Sequence, residues 1–360
     1  MKKWAISFLS FFLFTFFISQ VTFAQEETNE LESTLSKLSQ SAASKYVAPI
    51  VSGFGANLNS GWVHRAPSSK IFGIDFELGF VFMGTMMGDD AKSFSTNGTF
   101  KFTKAQALQM VQNVSANPIV RDGLANEIIK RDFSVVISGP TIVGSETEYV
   151  GVDFSGETIS YLGQSYNVPA QRVETPVTGY LKDLSVLPLF APQFTIGTVY
   201  GTTASFRFLP SIEIQDLGKF SYFGFGLQHN PSMFIPVPIP LDVSVAFFTQ
   251  SLKVGDIFDA SATTFGLYAS KQFGPGALSV TPYAGLAFES SSIKIKYNQI
   301  ISDPTNPSQE LKLPVDFELE GENSARFVLG ASFKLALISI NADYSMSTYN
   351  SFSLGLGIAF

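Results

Sequence analysis

From about residue 192 to its end, this chain alternates with a period of two between large apolar residues and small or polar ones. That pattern restricts its fold more than any other feature. In the last segment Phe352, Leu354, Leu356, Ile358 and Phe360 share one face, and Ser351, Ser353, Gly355, Gly357 and Ala359 the other. The same division recurs at 326–335 and 278–289, more weakly at 203–209, 219–229, 241–250, 263–272 and 338–346, and early at 71–82. Period two is the signature of a strand with unlike faces, and a soluble sandwich has it too. Here the apolar faces are large and continuous while the opposite faces are Gly, Ser, Thr and a few ions, which suits a lumen backing a lipid face. Strands in lipid must satisfy their backbone groups internally, so they close on themselves. The expected fold is all-β: a transmembrane antiparallel β-barrel of about 12 strands, with 10 and 14 open. Tyr268, Phe273, Tyr283, Tyr297, Tyr344 and Tyr349 sit near strand ends, where interfacial girdles are expected. Gly274-Pro275-Gly276 and Gly201-Thr202 read as short turns, and 298–313, with two prolines, as a long loop.

Composition supports a membrane reading. The chain holds 36 Phe beside 29 Gly, with only 15% charged residues. Its start (Lys2, Lys3, an apolar run from Trp4 to Ile18, then Val21-Thr22-Phe23-Ala24 before Gln25-Glu26-Glu27) has the order of a cleaved export leader over residues 1–24. After that run, no apolar stretch approaches the length of a membrane helix. The absence of cysteine excludes a lipoprotein anchor, disulfides, Cys-ligated zinc and thiol catalysis. Removing Lys2 and Lys3 with the leader leaves 21 basic against 30 acidic residues, a formal charge of −9. With no basic cluster, this argues against a nucleic-acid partner.

Two parts follow the leader boundary. Residues 25–66 form an N-terminal helix and a connecting segment. Asn29 and Glu32 make a capping box for a helix over 26–46, Leu31, Leu35, Leu38, Ala42 and Tyr46 form its apolar stripe, and Pro49, Gly53 and Gly55 end it. A cap on the periplasmic end is the expectation, with a plug in the lumen as the alternative. Residues 67–360 form the barrel, interrupted by a helical insertion at about 103–131. There Thr103 and Gln106 make a second capping box, and Asn117-Pro118 restarts a helix through Leu124, Ile128 and Ile129. So short an insertion cannot bury a core of its own. Residues 143–190 are the part whose structure the sequence leaves open.

Little in the sequence looks like chemistry. His64 and His229 are the only histidines, and no Gly-x-Ser-x-Gly elbow occurs. Two scattered histidines and no calcium-loop pattern leave no metal, cofactor or catalytic residue to single out, so a non-enzymatic chain is expected. If the large residues face lipid, then Asp75, Glu77, Arg207, Asp242, Glu289, Arg326, Lys334 and Asp343 point inward. They read either as a solute-selecting constriction or as charges that satisfy one another across a narrow or plugged lumen. The mixture of signs favours the second. Ile235-Pro236-Val237-Pro238-Ile239-Pro240 reads as a stiff connection between strands.

Two resemblances add to this. The terminal strand Ser353-Leu354-Gly355-Leu356-Gly357-Ile358-Ala359-Phe360 resembles the assembly signal of outer-membrane barrels. That resemblance implies two partners, outer-membrane lipid and the barrel-insertion machinery that reads the last aromatic. Lys45-Tyr46-Val47-Ala48-Pro49, Leu58-Asn59-Ser60-Gly61-Trp62, Arg207-Phe208-Leu209-Pro210, Gly224-Phe225-Gly226-Leu227-Gln228-His229-Asn230 and Thr281-Pro282-Tyr283-Ala284-Gly285-Leu286 resemble an uncharacterised family of Bacteroidota outer-membrane proteins. The family resemblance implies a barrel with an N-terminal helix in a bacterial outer membrane, and no activity. Passive transport of small or hydrophobic solutes is the expected role. The alternatives are a non-transporting structural or partner-anchoring barrel and a lipid-modifying barrel enzyme.

Overall fold

The computed structural model describes residues 38–67, 72–214, 218–234, 240–302 and 309–360. The leader, the start of the 26–46 helix with its capping box and Leu31 and Leu35, and residues 235–239 of the proline stretch lie outside them. Chain order runs α1 (Gln40–Leu58), β1 (Phe72–Met86), β2 (Ser93–Phe100), α2 (Lys104–Met110), α3 (Pro118–Ile129), β3 (Phe133–Pro140), β4 (Gly151–Phe154), β5 (Glu157–Tyr161), β6 (Gln164–Val168) and β7 (Gln171–Glu174). There follow β8 (Val186–Val199), β9 (Thr202–Ile214), β10 (Gly218–His229), β11 (Asp242–Val254), β12 (Phe258–Ser270), β13 (Leu278–Ser302), β14 (Glu310–Glu320), β15 (Ala325–Leu335), β16 (Ile338–Met346) and β17 (Ser351–Ala359).

Ten strands form a closed antiparallel ring in the order β1-β8-β9-β10-β11-β12-β13-β15-β16-β17, sealed where β17 pairs with β1. The count is ten, not about 12, with one extra strand, β14, which pairs with the far half of β13 outside the ring. The described residues of the expected loop 298–313 are therefore mostly strand. β13 runs on to Ser302, and Leu311, Leu313, Val315, Phe317 and Leu319 resume the alternation on β14. The seam is closed to the last residue: Phe360 N–H donates to Phe76 O at 2.8 Å.

Parity decides which side chains meet lipid. On β1 Phe76, Leu78 and Phe80 are exposed, while Val81 and Met83 are buried inside. Outward apolar residues continue around the ring through Phe208, Phe223, Phe247, Phe265, Leu286 and Leu356. An apolar surface that encircles the molecule far exceeds the isolated patches of a soluble monomer, and it matches the lipid-facing band of a membrane barrel. No helix among the described residues is long and apolar enough to cross a membrane. The girdle expectation fails at three positions. Tyr268, Tyr283 and Tyr297 share the inward parity and are buried, whereas Phe273 and Tyr344 face outward.

At one end of the ring, residues 87–185 between β1 and β8 build a cap. Helices occupy Lys104–Met110 and Pro118–Ile129, the first opened by the Thr103–Gln106 capping box. The cap is larger than a 103–131 insertion. It holds a four-stranded sheet, β2-β3-β4-β7, and a β5–β6 hairpin, with β4 to β7 all drawn from the 143–190 stretch that the sequence leaves open. Its core is real because α1 joins it. Leu38, Ala42 and Tyr46 are fully buried, and Tyr46 O–H donates to Thr178 O at 2.8 Å.

Helix α1 also corrects the expected stop at Pro49, Gly53 and Gly55, since it passes through all three and ends at Leu58. Packing, not backbone propensity, explains the glycines. A Cβ on Gly53 would stand 2.4 Å from Met87 Cε, and one on Gly55 would meet Ser291 Oγ at 2.0 Å. Only a bare helix face fits against the ring wall there.

Candidate functional site

Instead of capping one end, the N-terminal segment runs through the lumen. Thr85 Oγ1 donates to Gly53 O, and Asn57 Nδ2 donates to Leu187 O at 2.8 Å, which holds the end of α1 against β1 and β8 at the insertion side. The helix stops at Asn59. Gly61 then takes the left-handed conformation (φ +66°) that helix ends favour. Farther down, Ala66 N–H donates to Ser270 Oγ and Asn230 Nδ2 donates to Pro67 O at 2.7 Å, so the chain leaves by the end that carries Phe360. Strand β1 starts from that end.

Trp62 anchors the middle. It stacks on Phe248 with ring centroids 4.8 Å apart, and the Arg207 guanidinium lies 4.0 Å from its centroid. Its Nε1 donates to Gln250 Oε1 at 3.0 Å and to Leu58 O at 2.9 Å. Gln250 also accepts from Tyr222 O–H and donates to Asn59 Oδ1. A flat indole held between an arginine and a phenylalanine fills the cross-section, and Gly224 makes room for it, because a Cβ there would come 2.8 Å from the ring. Sequence reading missed this role. A single Trp in a short aperiodic stretch carries no pattern.

Of the inward ions, Glu289 meets Arg326 and Glu77 meets His64 and Arg65, while Arg207 and Asp343 are satisfied by neutral side chains and plug backbone. Arg207 is 0% exposed, donating from Nε to Gln193 Oε1 at 2.9 Å and from Nη1 to the plug carbonyl of Ser60 at 2.9 Å. Arg326 donates from Nε to Glu289 Oε2 at 2.6 Å, from Nη1 to Ser60 Oγ at 2.7 Å and from Nη2 to Ala56 O at 3.0 Å. Asp343 accepts from Tyr283 O–H at 3.0 Å and from Ser353 Oγ at 2.6 Å. Near the exit His64 Nε2 lies 2.9 Å from Glu77 Oε2, with Arg65 at 3.8 Å from the same oxygen. Asp75 and Asp242 line the mouth below them, and Lys334 stands half-buried. His229 sits apart, 2.9 Å from Thr202 Oγ1 at a strand end.

A water-filled channel leaves its lining wet. Here Arg207, Tyr222, Phe248, Gln250 and Arg326 are all buried, and protein atoms take the place of water. Among the described residues a polar vestibule of about 170 Å³ stays open at the exit end, with Trp62 in its lining.

A closed ring of ten antiparallel strands, belted by apolar side chains and filled by its own N-terminal segment, defines a plugged membrane-spanning β-barrel. The chain belongs to the Family of unknown function (DUF6588), whose profile matches residues 1–360. No curated protein matches the sequence. Similar solved structures include a loop L8 deletion mutant of OmpT, an outer membrane protein of Vibrio cholerae, at 10% identity and TM-score 0.23, covering 81% of this chain and all of that one. The transport unit of the autotransporter AIDA-I from Escherichia coli matches at 8% identity and TM-score 0.27, covering 87% of this chain and 98% of that one.

Proposed function

We propose that this chain is a closed bacterial outer-membrane barrel that anchors and displays the 87–185 insertion as a contact surface, and does not conduct solutes. One observation carries the reading: the lumen is occupied by residues 53–67, which bond to its walls from the insertion end to the exit. Long connections face outward in outer-membrane barrels and short turns face the periplasm. The 99-residue insertion and the β13–β14 hairpin are at one end; the other carries the turns at 200–201 and 336–337, with 230–241 its longest connection. The size of the insertion decides the reading, which puts it at the cell surface. An export leader over 1–24, membrane lipid against the belt, and insertion machinery reading the strand before Phe360 complete this reading. Catalysis has no part in it, since His64 is committed to Glu77 and His229 to Thr202.

Two measurements test the proposal. The chain has no cysteine, so single cysteines at Leu162 on the β5–β6 tip and at Tyr200 on the opposite turn report sidedness. A membrane-impermeant maleimide should label Leu162→Cys on whole cells and Tyr200→Cys only after the outer membrane is opened; the reverse order would place the insertion in the periplasm. In planar bilayers the intact protein should be electrically silent, while a variant lacking residues 38–60 should conduct. Steady conductance by the intact protein would return the reading to passive transport.

A further inference from the structure

We propose that the outer edge of β14 takes up an extended segment of a partner protein, alternately basic and apolar, as an added strand. β14 is 11 residues long, and among the described residues it pairs with β13 alone, from Ser302 with Glu310 to Ser292 with Glu320. Parity fixes what its other edge offers. Gly321 N–H donates to Ser291 O at 2.9 Å, so odd-numbered residues turn their backbone groups toward β13 and even-numbered ones turn away. The N–H groups of Lys312, Asp316, Glu318 and Glu320 therefore reach the edge, where they meet no backbone partner among the described residues. Pro314 shares their parity, so its missing N–H removes no ladder bond. All five of these residues are exposed. On β13 the outward side chains change from Leu286 and Phe288 to Lys294 and Lys296, which sets β14 beyond the lipid belt, in water. A row of alternating free donors and acceptors is a template that only another extended chain can match.

The two faces of β14 select the segment. Val315, Phe317 and Leu319 turn toward the core that α1 shares with the cap. Lys312, Asp316, Glu318 and Glu320 turn to water, one base against three acids. Asp316 is met by Lys296 at 3.7 Å, whereas Glu318 and Glu320 have no ion pair among the described residues. A strand laid along the edge sets its side chains directly opposite these rows, so basic residues suit the outer face and apolar residues the inner one. A second copy does not fit. Copies in one membrane share an up–down direction, so their β14 edges would run parallel at one level and set acid against acid. Pro314 and the acids also guard the edge against indiscriminate pairing. The inference deepens the display reading by naming the partner's chemistry; the edge is assayed on purified protein and the display role by sidedness labelling, so each can fail alone.

The probe is a fluorescent, end-capped peptide of alternating lysine and valine. Lipid-reconstituted protein is titrated into it and anisotropy is followed, with protein-free lipid discs as the blank. Two further peptides carry N-methyl groups on every lysine or on every valine, so that charge is kept while the donors of one edge are lost. Saturable binding is expected for the parent peptide and for one methylated form, with the other about tenfold weaker, the scale of one or two lost hydrogen bonds. Which form fails tells antiparallel from parallel addition. Glu318→Pro removes an outward donor and no bond to β13, so it should weaken the parent peptide further than Glu318→Gln, which removes the charge alone. Heat-modifiable mobility on gels checks that both variants fold; should they not, the methylated pair decides on the unaltered protein. No saturable binding, equal binding of the two methylated forms, or a folded Glu318→Pro variant that binds as Glu318→Gln does would each overturn the proposal.

Discussion

Glu289 and Arg326 are each 1% exposed in side chain, deep in a ring that offers almost no water. A buried pair is tolerated only when geometry and further hydrogen bonds compensate for lost hydration. Arg326 meets that demand by also reaching Ser60 and Ala56 of the plug. Replacing Glu289 by Ala should therefore cost about 3–5 kcal/mol, because it strands a charge, while Met at both positions recovers most of the loss. Urea unfolding of lipid-reconstituted protein, followed through Trp62, measures both; a double variant as unstable as the single one would show that pairing is not what matters. Strand parity was enough to place Glu289, Arg326, Arg207 and Asp343 inward. Their partners were not legible, because contacts across a lumen depend on strand count and stagger, and because the plug that meets them has no periodicity. Parity could also have placed Tyr268 and Tyr283 inside, but their nearness to strand ends suggested a girdle.

At the scale of the element, α1 is the clearest case of tertiary structure overriding local propensity. Gly and Pro disfavour helix interiors, yet the ring wall and the insertion surround this helix on several sides and fix it. Gly55→Leu adds a side chain where even a Cβ meets Ser291. The helix must then lift off β13, and the variant should show channel activity in bilayers where the unaltered protein is silent. A silent, fully stable Gly55→Leu variant would mean that the contact is not tight. The same junction responds to alkali. Tyr349, packed between β16 and β17, has its phenol pushed up to about 12 by burial and by Glu322 and Asp90 nearby. Burial also raises Tyr46 on α1. The folded state holds these protons more tightly than the unfolded chain, whose tyrosines titrate near 10. Stability is thus fully present below pH about 10 and declines from about 10 to about 12 as Tyr349 loses its proton. Protease resistance of the insertion should fall over that window, and Tyr349→Phe should flatten the fall. Strands β4–β7 of the cap stayed hidden in the sequence because they are only four or five residues long, too short for alternation to register.

For the whole molecule, the insertion and the ring are separable in a way that the plug and the ring are not. β1 and β8 are neighbours, paired in register from Asp75 with Gly197 to Met86 with Val186, so residues 87–185 enter and leave the ring at one point. A tight turn could close that hairpin without disturbing another strand pair. The ring's remaining cohesion comes from its ladders, the lipid belt and the lumen network at Trp62, Arg207 and Arg326, none of which uses the insertion. A chain with 87–185 replaced by Asn-Gly should consequently still assemble a heat-modifiable barrel with Trp62 buried. Its α1, stripped of the cover over Leu38, Ala42 and Tyr46, should become a protease target down to about the depth where Thr85 and Asn57 hold it. If the shortened chain fails to assemble, the insertion is part of the folding unit and not cargo upon it. If it assembles with α1 still protected, the ring alone holds the helix, and the contact between α1 and the cap serves the cap. The first result would weaken the display role, because a displayed module is one whose anchor forms without it.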